Sequence, residues 1–566
     1  METNKRLMQD PDWWRSATVY QIYPRSFFDS DGDGEGDLAG ISQKLDYIKS
    51  LGVDVVWSCP YFVSPKADNG YDVADYRAID PAFGTMEQWQ EMVDGIHARG
   101  MRFVMDFVGN HTSDEHPWFE AARQSKDSPY HDYYIFREGK NGAEPSNWAS
   151  VFGGSIWEYN QPTGEYYLHT FAVKQPDLNW ENPKVVDEVV DILKFWVDRG
   201  VDGFRLDAIN YLYKEPDFPD VEPMPGSKYG FANQHYANKP RVNEHFRDLN
   251  ERVFGKYGMM TVAEVAYVDM ETARQYCGPD RRELNMLYLF DLLNIDQEGF
   301  DKFSPKPLDL PLFKKTALEW QQGLHGQGWQ ALFMDNHDQP RAVSRFGDDG
   351  VYWKESAKML ANCFYMMQGT PYIFQGDEIG MTNVHYDSVE KFRDVEVFNT
   401  YEERKAAGES DEALLKVFCD RARDNGRTPM QWDDSENAGF TAGTPWIEVN
   451  DNYRKINVAS QEGDPDSILN FYRELIAKRK QWDVIAYGDM ELYHPDCDKT
   501  FGYIRRFENQ ALFCLSNFTG EEIEFHLPEE FLSDRTSVLL QNYPGLVIAP
   551  VITLRPYESF TLVKED

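Results

Sequence analysis

The stretch VDGFRLDAIN, Val201 to Asn210, sets an arginine and an aspartate in an otherwise apolar run. Residues two apart on a strand share a face, so Arg205 and Asp207 point the same way. Seven more short apolar segments accompany it: TVYQIYP (18–24), VDVVWSCP (53–60), MRFVMDFV (101–108), MMTVAEV (259–265), MLYLFDL (286–292), ALFMDNHD (331–338) and PYIFQGDE (371–378). Helical-length stretches lie between them, such as MEQWQEMVDGIHARG (86–100) and PKVVDEVVDILKFWVDRG (183–200). Strands alternating with helices predict an α/β protein with a parallel sheet covered on its outer face. Eight units, each strand ending in polar residues, predict a closed (β/α)8 TIM barrel. A doubly wound sheet is the alternative, but no glycine-rich fingerprint follows any strand.

The third unit is interrupted. From Thr112 to about Trp180 the chain is rich in Gly, Pro, Asn and aromatics, too long for an ordinary connection between strand and helix. The expected organisation is a catalytic barrel in two parts, 1–111 and 181–490, around an irregular inserted subdomain at 112–180. A charged, partly helical elaboration at 382–434 follows strand eight. TFGYIRRF, ALFCLSNF, EIEFHL, TSVLLQNY and SFTLV predict a C-terminal all-β sandwich over 491–566.

Composition narrows the partners. The 566 residues include 95 acidic and 57 basic side chains, a formal net charge of −38. Such a balance repels phosphate backbones and anionic membrane surfaces, so neither nucleic acid nor membrane is an expected partner. The opening METNKRLMQDPDWW lacks the apolar core of a signal peptide, and the six cysteines form no close pairs. A cytoplasmic location, as monomer or homodimer, is the expectation. Aromatic residues make up 15% of the chain. Where they crowd a polar loop, as in WASVFGGSIWEYN (148–160), they suit the C–H faces and hydroxyls of a sugar.

Polar residues at the carboxyl ends of barrel strands gather round one mouth. Here those ends supply Asp106 with Asn110 and His111, Arg205 with Asp207, Glu264, and His337 with Asp338. Carboxyl groups at several strand ends fit a glycosidase, in which one carboxylate attacks the anomeric carbon and a carboxylic acid protonates the leaving oxygen. Arg205 would hold Asp207 ionised, as a nucleophile requires. Glu264 closes an apolar strand, where partial burial would keep it protonated. Asp338 could bind hydroxyls and stabilise positive charge on the ring. His111 and His337 read as hydroxyl donors. These residues alone leave open which carboxylate attacks.

The chain resembles the α-amylase superfamily, in its oligo-1,6-glucosidase and α-glucosidase branch. DFVGNH (106–111), GFRLDAIN (203–210), AEV (263–265) and DNHDQPR (335–341) match its conserved blocks in order, and QPDLNWENP (175–183) matches a further one. WWRSATVYQIYPRSF, HTSDEHPWF, DNGYD (68–72) and RARDNGRTPMQWD (421–433) extend the likeness over nearly the whole chain. The resemblance implies a retaining mechanism, with Asp207 as nucleophile, Glu264 as acid/base and Asp338 as the transition-state-stabilising carboxylate. It implies that Asp68, Tyr71, His111, Arg205 and His337 line a glucose pocket, with Arg423 pairing Asp68 at the non-reducing end. Two departures stand out: Ala263 where relatives carry glycine before the acid/base, and the apolar MLYLFDLL (286–293) where they carry aromatic-histidine patterns.

Ala208 is the expected specificity position. In this branch valine after the nucleophile accompanies strict α-1,6 preference, and threonine or alanine accompanies tolerance of α-1,4 linkages. A β-branched side chain would crowd one path of the leaving sugar. The expected function is therefore a retaining, exo-acting α-glucosidase on short α-gluco-oligosaccharides, α-1,4 or mixed α-1,4/α-1,6, with possible transglucosylation. The alternative is a strict oligo-1,6-glucosidase. Sucrose isomerase, trehalulose synthase, trehalose-6-phosphate hydrolase and a non-catalytic, transporter-associated sugar-binding relative follow behind.

DSDGDGEGD (29–37) carries acidic residues between glycines, a pattern that wraps oxygen ligands round a hard cation, although the full EF-hand fails because Gly40 holds the twelfth position. It resembles the metal loop of similar glucosidases. Asp29, Asp31, Asp33 and Asp37, with the carbonyl of Glu35, are the expected ligands of a structural calcium or magnesium ion. No organic cofactor is expected.

Overall fold

Each of the eight apolar segments contains one strand of a single parallel sheet: β1 (Val19–Ile22), β2 (Val55–Ser58), β3 (Arg102–Val108), β4 (Gly203–Asp207), β5 (Met260–Glu264), β6 (Met286–Tyr288), β7 (Ala331–Leu332) and β8 (Thr370–Phe374). In this computed structural model, residues 12–565 are described, apart from Pro225 and Phe300. The opening METNKRLMQDP, on which the reading of the amino terminus rests, lies outside the described residues. The strands run in the order 6-5-4-3-2-1-8-7, and a parallel bridge from Leu287 to Gln330 joins the two ends into a barrel.

Every residue of β1, β2 and β8 is buried, which is why these strands read as continuous apolar runs rather than alternating ones. Gly203 is needed where β4 meets β5, because a Cβ there would lie 2.4 Å from the Met260 carbonyl oxygen. The covering helices show the signals that the sequence carries. Helix α1 (Met86–Ala98) opens on a capping box between Thr85 and Gln88. Helix α2 (Pro183–Val197) opens on Asn182 with proline at its first turn, and buries Val185, Val189, Ile192, Leu193 and Trp196 along one face.

Register sets the site. Asp106 of β3 pairs with Arg205 of β4, and Arg205 pairs with Val262 of β5. Glu264 stands two residues beyond Val262, so it lies level with Asp207 at the mouth. The barrel therefore delivers three carboxylates and one guanidinium to neighbouring places without help from any loop.

After β3 the chain makes a small three-stranded sheet (Phe136–Arg137, Trp157–Asn160, Glu165–Leu168), tied back to the end of β3 by the bridge His111 to Asp177 and by the Leu178 amide on the Asn110 carbonyl, and closed within itself by the bridge Tyr134 to Leu178. Trp148 and Trp157 are fully packed in its core against Tyr211, Phe218 and Tyr236 from the segment after β4. Within the aromatic loop at 148–160 the two tryptophans are thus core, while Tyr159 is exposed and Phe152 is half-buried. The crowding that suggested a sugar platform arises because a sheet this small has to bury large rings to hold together. Beyond β8, helices α3 (Val395–Ala406) and α4 (Asp411–Arg421) build the charged elaboration.

The C-terminal strands β9 (Asp489–Tyr493), β10 (Thr500–Phe507), β11 (Gln510–Asn517), β12 (Ser537–Gln541) and β13 (Ser559–Glu565) form an antiparallel sheet in the order 9-10-11-13-12. A two-stranded pair, Ile523–His526 with Val551–Leu554, covers its face around Phe513, Phe531, Phe560 and Leu562. All six cysteines are free thiols. Among the described residues no helix is long and apolar enough to cross a membrane.

Candidate active site

Arg205 sits at the centre of the mouth with its side chain 3% exposed. Its Nη1 donates to Asp207 Oδ1 at 2.6 Å and to Asp106 Oδ1 at 3.0 Å, while Nη2 donates to Glu264 Oε2. One guanidinium therefore holds both carboxylates of the expected catalytic pair on adjacent nitrogens. Burial pushes the Glu264 carboxyl up to about 8, helped by the charges of Asp207 and Asp338 and opposed by Arg205. Glu264 keeps 27% of its side chain open to the cavity, as a group that hands a proton to substrate must. Burial likewise raises Asp106, to about 6, against the pull of Arg205.

His337 stacks between Tyr71 and Tyr23, at ring separations of 5.4 and 5.9 Å. Its Nε2 lies 2.7 Å from the Tyr71 hydroxyl and 3.1 Å from Asp338 Oδ2, and its Nδ1 meets the Gln21 amide at 3.0 Å. Burial works against charge on this ring, but Asp338 beside it raises its pKa to about 10. The imidazolium then donates to Tyr71, whose own hydroxyl donates to Asp106 Oδ2 at 2.9 Å. Asp338 is held well below the usual carboxylate range: burial would raise it, and His337, Arg427 and Arg423 outweigh that. Arg427, nearly fully buried, donates from Nη2 to Asp338 Oδ1 at 2.6 Å and from Nε to the His337 carbonyl at 3.0 Å.

A further group of polar side chains is built around Asp68. Gln175 Nε2 donates to Asp68 Oδ2 at 3.1 Å and also meets His111 Nε2 at 3.1 Å. Arg423 Nη1 stands 3.6 Å from Asp68 Oδ1 and 3.6 Å from Asp338 Oδ1. Its tighter partner is Asp394, the N-cap of α3, which accepts from Nη2 at 2.7 Å and Nε at 3.0 Å. Phe152 lies 5.6 Å from the Arg423 guanidinium and Phe171 lies 5.3 Å from the His111 ring, so the inserted subdomain supplies a wall.

All of the expected pocket residues, Asp68, Tyr71, His111, Arg205, His337 and Arg423, are thus joined with Asp207, Glu264 and Asp338 in one network. Asp394, Arg427 and Gln175 were not singled out in the sequence. Arg427 and Gln175 lie inside matched blocks and could have been. Asp394 sits in a charged stretch with no distinguishing pattern.

Ala208 takes up left-handed backbone, φ 46° and ψ 37°, and packs into the aromatic core of the inserted subdomain with only 7% exposed. In the acidic loop, Asp29, Asp31 and Asp37 each bring one oxygen within 4.8 Å of the others. Asp33 is not brought into that group, and the Glu35 carboxylate is turned away onto Arg25 and Lys66.

The family described as the alpha-amylase catalytic domain matches residues 21–488. An oligo-1,6-glucosidase of Parageobacillus thermoglucosidasius is 53% identical over 550 residues, spanning 97% of this chain and 98% of its own. The crystal structure of a Bacillus licheniformis trehalose-6-phosphate hydrolase superposes with a TM-score of 0.93 at 44% identity, covering 98% of this chain and all of that one. An isomaltulose synthase from Klebsiella sp. LX3 superposes with a TM-score of 0.93 at 37% identity, covering 97% and 99%.

Proposed function

Since the chain belongs to the alpha-amylase family of glycoside hydrolases, we propose that it is a retaining, exo-acting α-glucosidase, releasing glucose from the non-reducing end of short α-glucosides with α-1,6 or α-1,4 linkages. The observation that carries the reading is the pair of carboxyls on one guanidinium: Asp207 on Arg205 Nη1 and the raised Glu264 on Nη2. Carboxyls sharing so short a bridge suit the spacing of about 5–5.5 Å used in retention rather than the wider gap that holds a water for inversion.

In this reading glucose enters with its C4 and C6 edge toward Asp68 and Arg423, whose pairing supports a blocked non-reducing end and so exo action. Asp207 attacks C1 as the bond from C1 to the leaving oxygen breaks, and Glu264 gives that oxygen its proton. Asp338, kept ionised by its three cations, faces the positive charge that develops on the ring. Water, deprotonated by Glu264, then attacks C1 and frees Asp207. A sugar hydroxyl in place of water gives transglucosylation.

Arg205, Arg423 and Arg427 are each committed to carboxylates, which argues against these cations serving a phosphorylated substrate. The oligo-1,6-glucosidase relative favours a narrower second reading, in which only α-1,6 bonds are cut. Initial glucose release from maltose, isomaltose and sucrose separates the two. Comparable rates on the first two support the broad reading, and activity on isomaltose alone supports the narrow one. Release from neither overturns both.

We further propose that Asp29, Asp31 and Asp37 hold a structural calcium or magnesium ion. The donor set is all oxygen, as a hard cation requires. The Asp33 amide favours charge on the exposed Asp31, but slight desolvation and the neighbouring carboxylates Asp33, Asp29 and Asp37 raise its pKa, and a cation would offset that crowding of charge.

A further inference from the structure

We infer that Glu35 is a positioning residue for the glucose pocket, a clip that fastens the turn Ser64–Asp72 to the acidic loop; the inference deepens the α-glucosidase reading and rests on it. The turn carries Asp68 and Tyr71. From within, it is organised by Asp72, which accepts from the Ser64 hydroxyl at 3.0 Å, the Asp68 amide at 3.0 Å and the Ala67 amide at 2.8 Å. Yet two of its non-glycine residues hold left-handed backbone, Lys66 at φ 62° and Asn69 at φ 51°. Such conformations persist only where the surroundings over-determine them.

Both are gripped from the side of the acidic loop. Glu35 Oε2 accepts from Lys66 Nζ at 3.0 Å. Glu35 Oε1 accepts from Arg25 Nη2 at 2.6 Å, and the same guanidinium donates from Nη1 to Asn69 Oδ1 at 3.2 Å. The Arg25 guanidinium lies over Trp446, 3.9 Å from its ring centre, and the Trp446 amide donates to the Gly34 carbonyl at 3.0 Å. One carboxylate thus reaches both left-handed residues, with each oxygen used. A glutamine cannot replace it, because its amide nitrogen would face a cation on one side.

The pocket feels this clip through the turn. Tyr71 meets His337 and Asp106 through its hydroxyl and accepts from Gln175 through its carbonyl, while Asp68 faces Arg423. These groups hold the glucose ring and not the reacting atoms, so a slackened turn weakens ground state and transition state alike. Such a loss appears in KM with kcat kept.

The test is steady-state kinetics on p-nitrophenyl α-glucoside for Glu35→Gln and Lys66→Met, singly and together, with Lys66→Arg as the conservative variant. The expected result is a rise in KM of roughly threefold to tenfold, with kcat within about twofold, a double variant no worse than Glu35→Gln alone, and near-normal KM for Lys66→Arg. Wild-type KM in the variants, with only a lower melting temperature, would overturn the assignment, as would a fall in kcat at constant KM. Calorimetric titration with glucose reads the same pocket without turnover. A chain that binds glucose but hydrolyses nothing faults the proposed activity, and unchanged glucose affinity in Glu35→Gln faults the clip.

Discussion

Asp394 grips Arg423 with both oxygens, at 2.7 and 3.0 Å, and so fixes, at the edge of the proposed glucose pocket, an arginine that stands 3.6 Å from Asp68. The pair is buried, and α3, which Asp394 caps, is anchored to the Gln297–Pro305 region by the ion pair of Glu396 with Lys302. Asp394→Asn leaves Arg423 half-partnered and free to swing. We expect kcat/KM to fall by about 10²-fold, mainly through KM, because small misplacements of a binding group are felt at that scale. Steady-state kinetics check this, and a change under threefold would make the pair ornamental.

Asp207→Asn replaces the carboxylate proposed to attack by a neutral amide of the same shape. Hydrolysis of every α-glucoside should drop by about 10⁴-fold or more, with the fold intact by circular dichroism. Glu264→Gln should behave differently. Its loss should be large on maltose and isomaltose and much smaller on p-nitrophenyl α-glucoside in the first, glucosylating step, since nitrophenolate leaves without a proton. Stopped-flow release of nitrophenol reads that step directly.

The raised Glu264 sets the alkaline limb of activity. Its proton is present below about 8 and lost above, so kcat/KM should decline as pH rises through about 8. His337, raised to about 10, stays charged through that window and Asp338 stays ionised. The sign for stability is the same. A carboxyl protonated in the folded state but ionised when unfolded contributes stability that is present below the ordinary carboxylate range and lost as pH climbs to about 8. A pH–rate profile on isomaltose, whose leaving sugar needs that proton, in which the residual activity of Glu264→Gln keeps the wild-type alkaline limb would assign that limb elsewhere.

Ala208→Val tests the linkage argument. Left-handed backbone is poorly tolerated by a β-branched residue, so a stability loss of about 1–3 kcal/mol is expected. The ratio of maltose to isomaltose hydrolysis should fall with it. Because Ala208 packs into the aromatic core of the inserted subdomain, any change in ratio acts by moving that wall. An unchanged ratio in a folded variant would separate this position from specificity.

A cation at Asp29, Asp31 and Asp37 should show as ligand-linked stability. Calcium or magnesium at 100 times its dissociation constant adds about 2.7 kcal/mol, a shift that calorimetry resolves. Chelator should reverse it, and Asp29→Asn should abolish it. No shift with either ion would leave Asp29 as a loop organiser alone, a role it already has through the Gly32 and Gly34 amides at 2.7 and 2.8 Å.

The barrel was legible because its evidence is local. A strand buried on both faces is a continuous apolar run, and the polar residues near its end are adjacent in sequence, so Asp106, Arg205, Asp207 and Glu264 declared themselves, whereas Asp338 stands six residues beyond Ala331–Leu332. Pairing between distant loops leaves no such mark. Gln21 reaches His337 across 316 positions, and Asp394 reaches Arg423 from a charged stretch like many others. Nor could the sequence tell a ring that faces sugar from one that fills a small core, as Trp148 and Trp157 do. It offered four acidic-loop carboxylates where folding gathers three, and it gave no sign that the Glu35 carboxylate pairs with Arg25 and Lys66. Periodicity fixes which residues face inward along an element. Which inward-facing groups then meet depends on how barrel, insert and elaboration close on one another, and only the tertiary structure decides that.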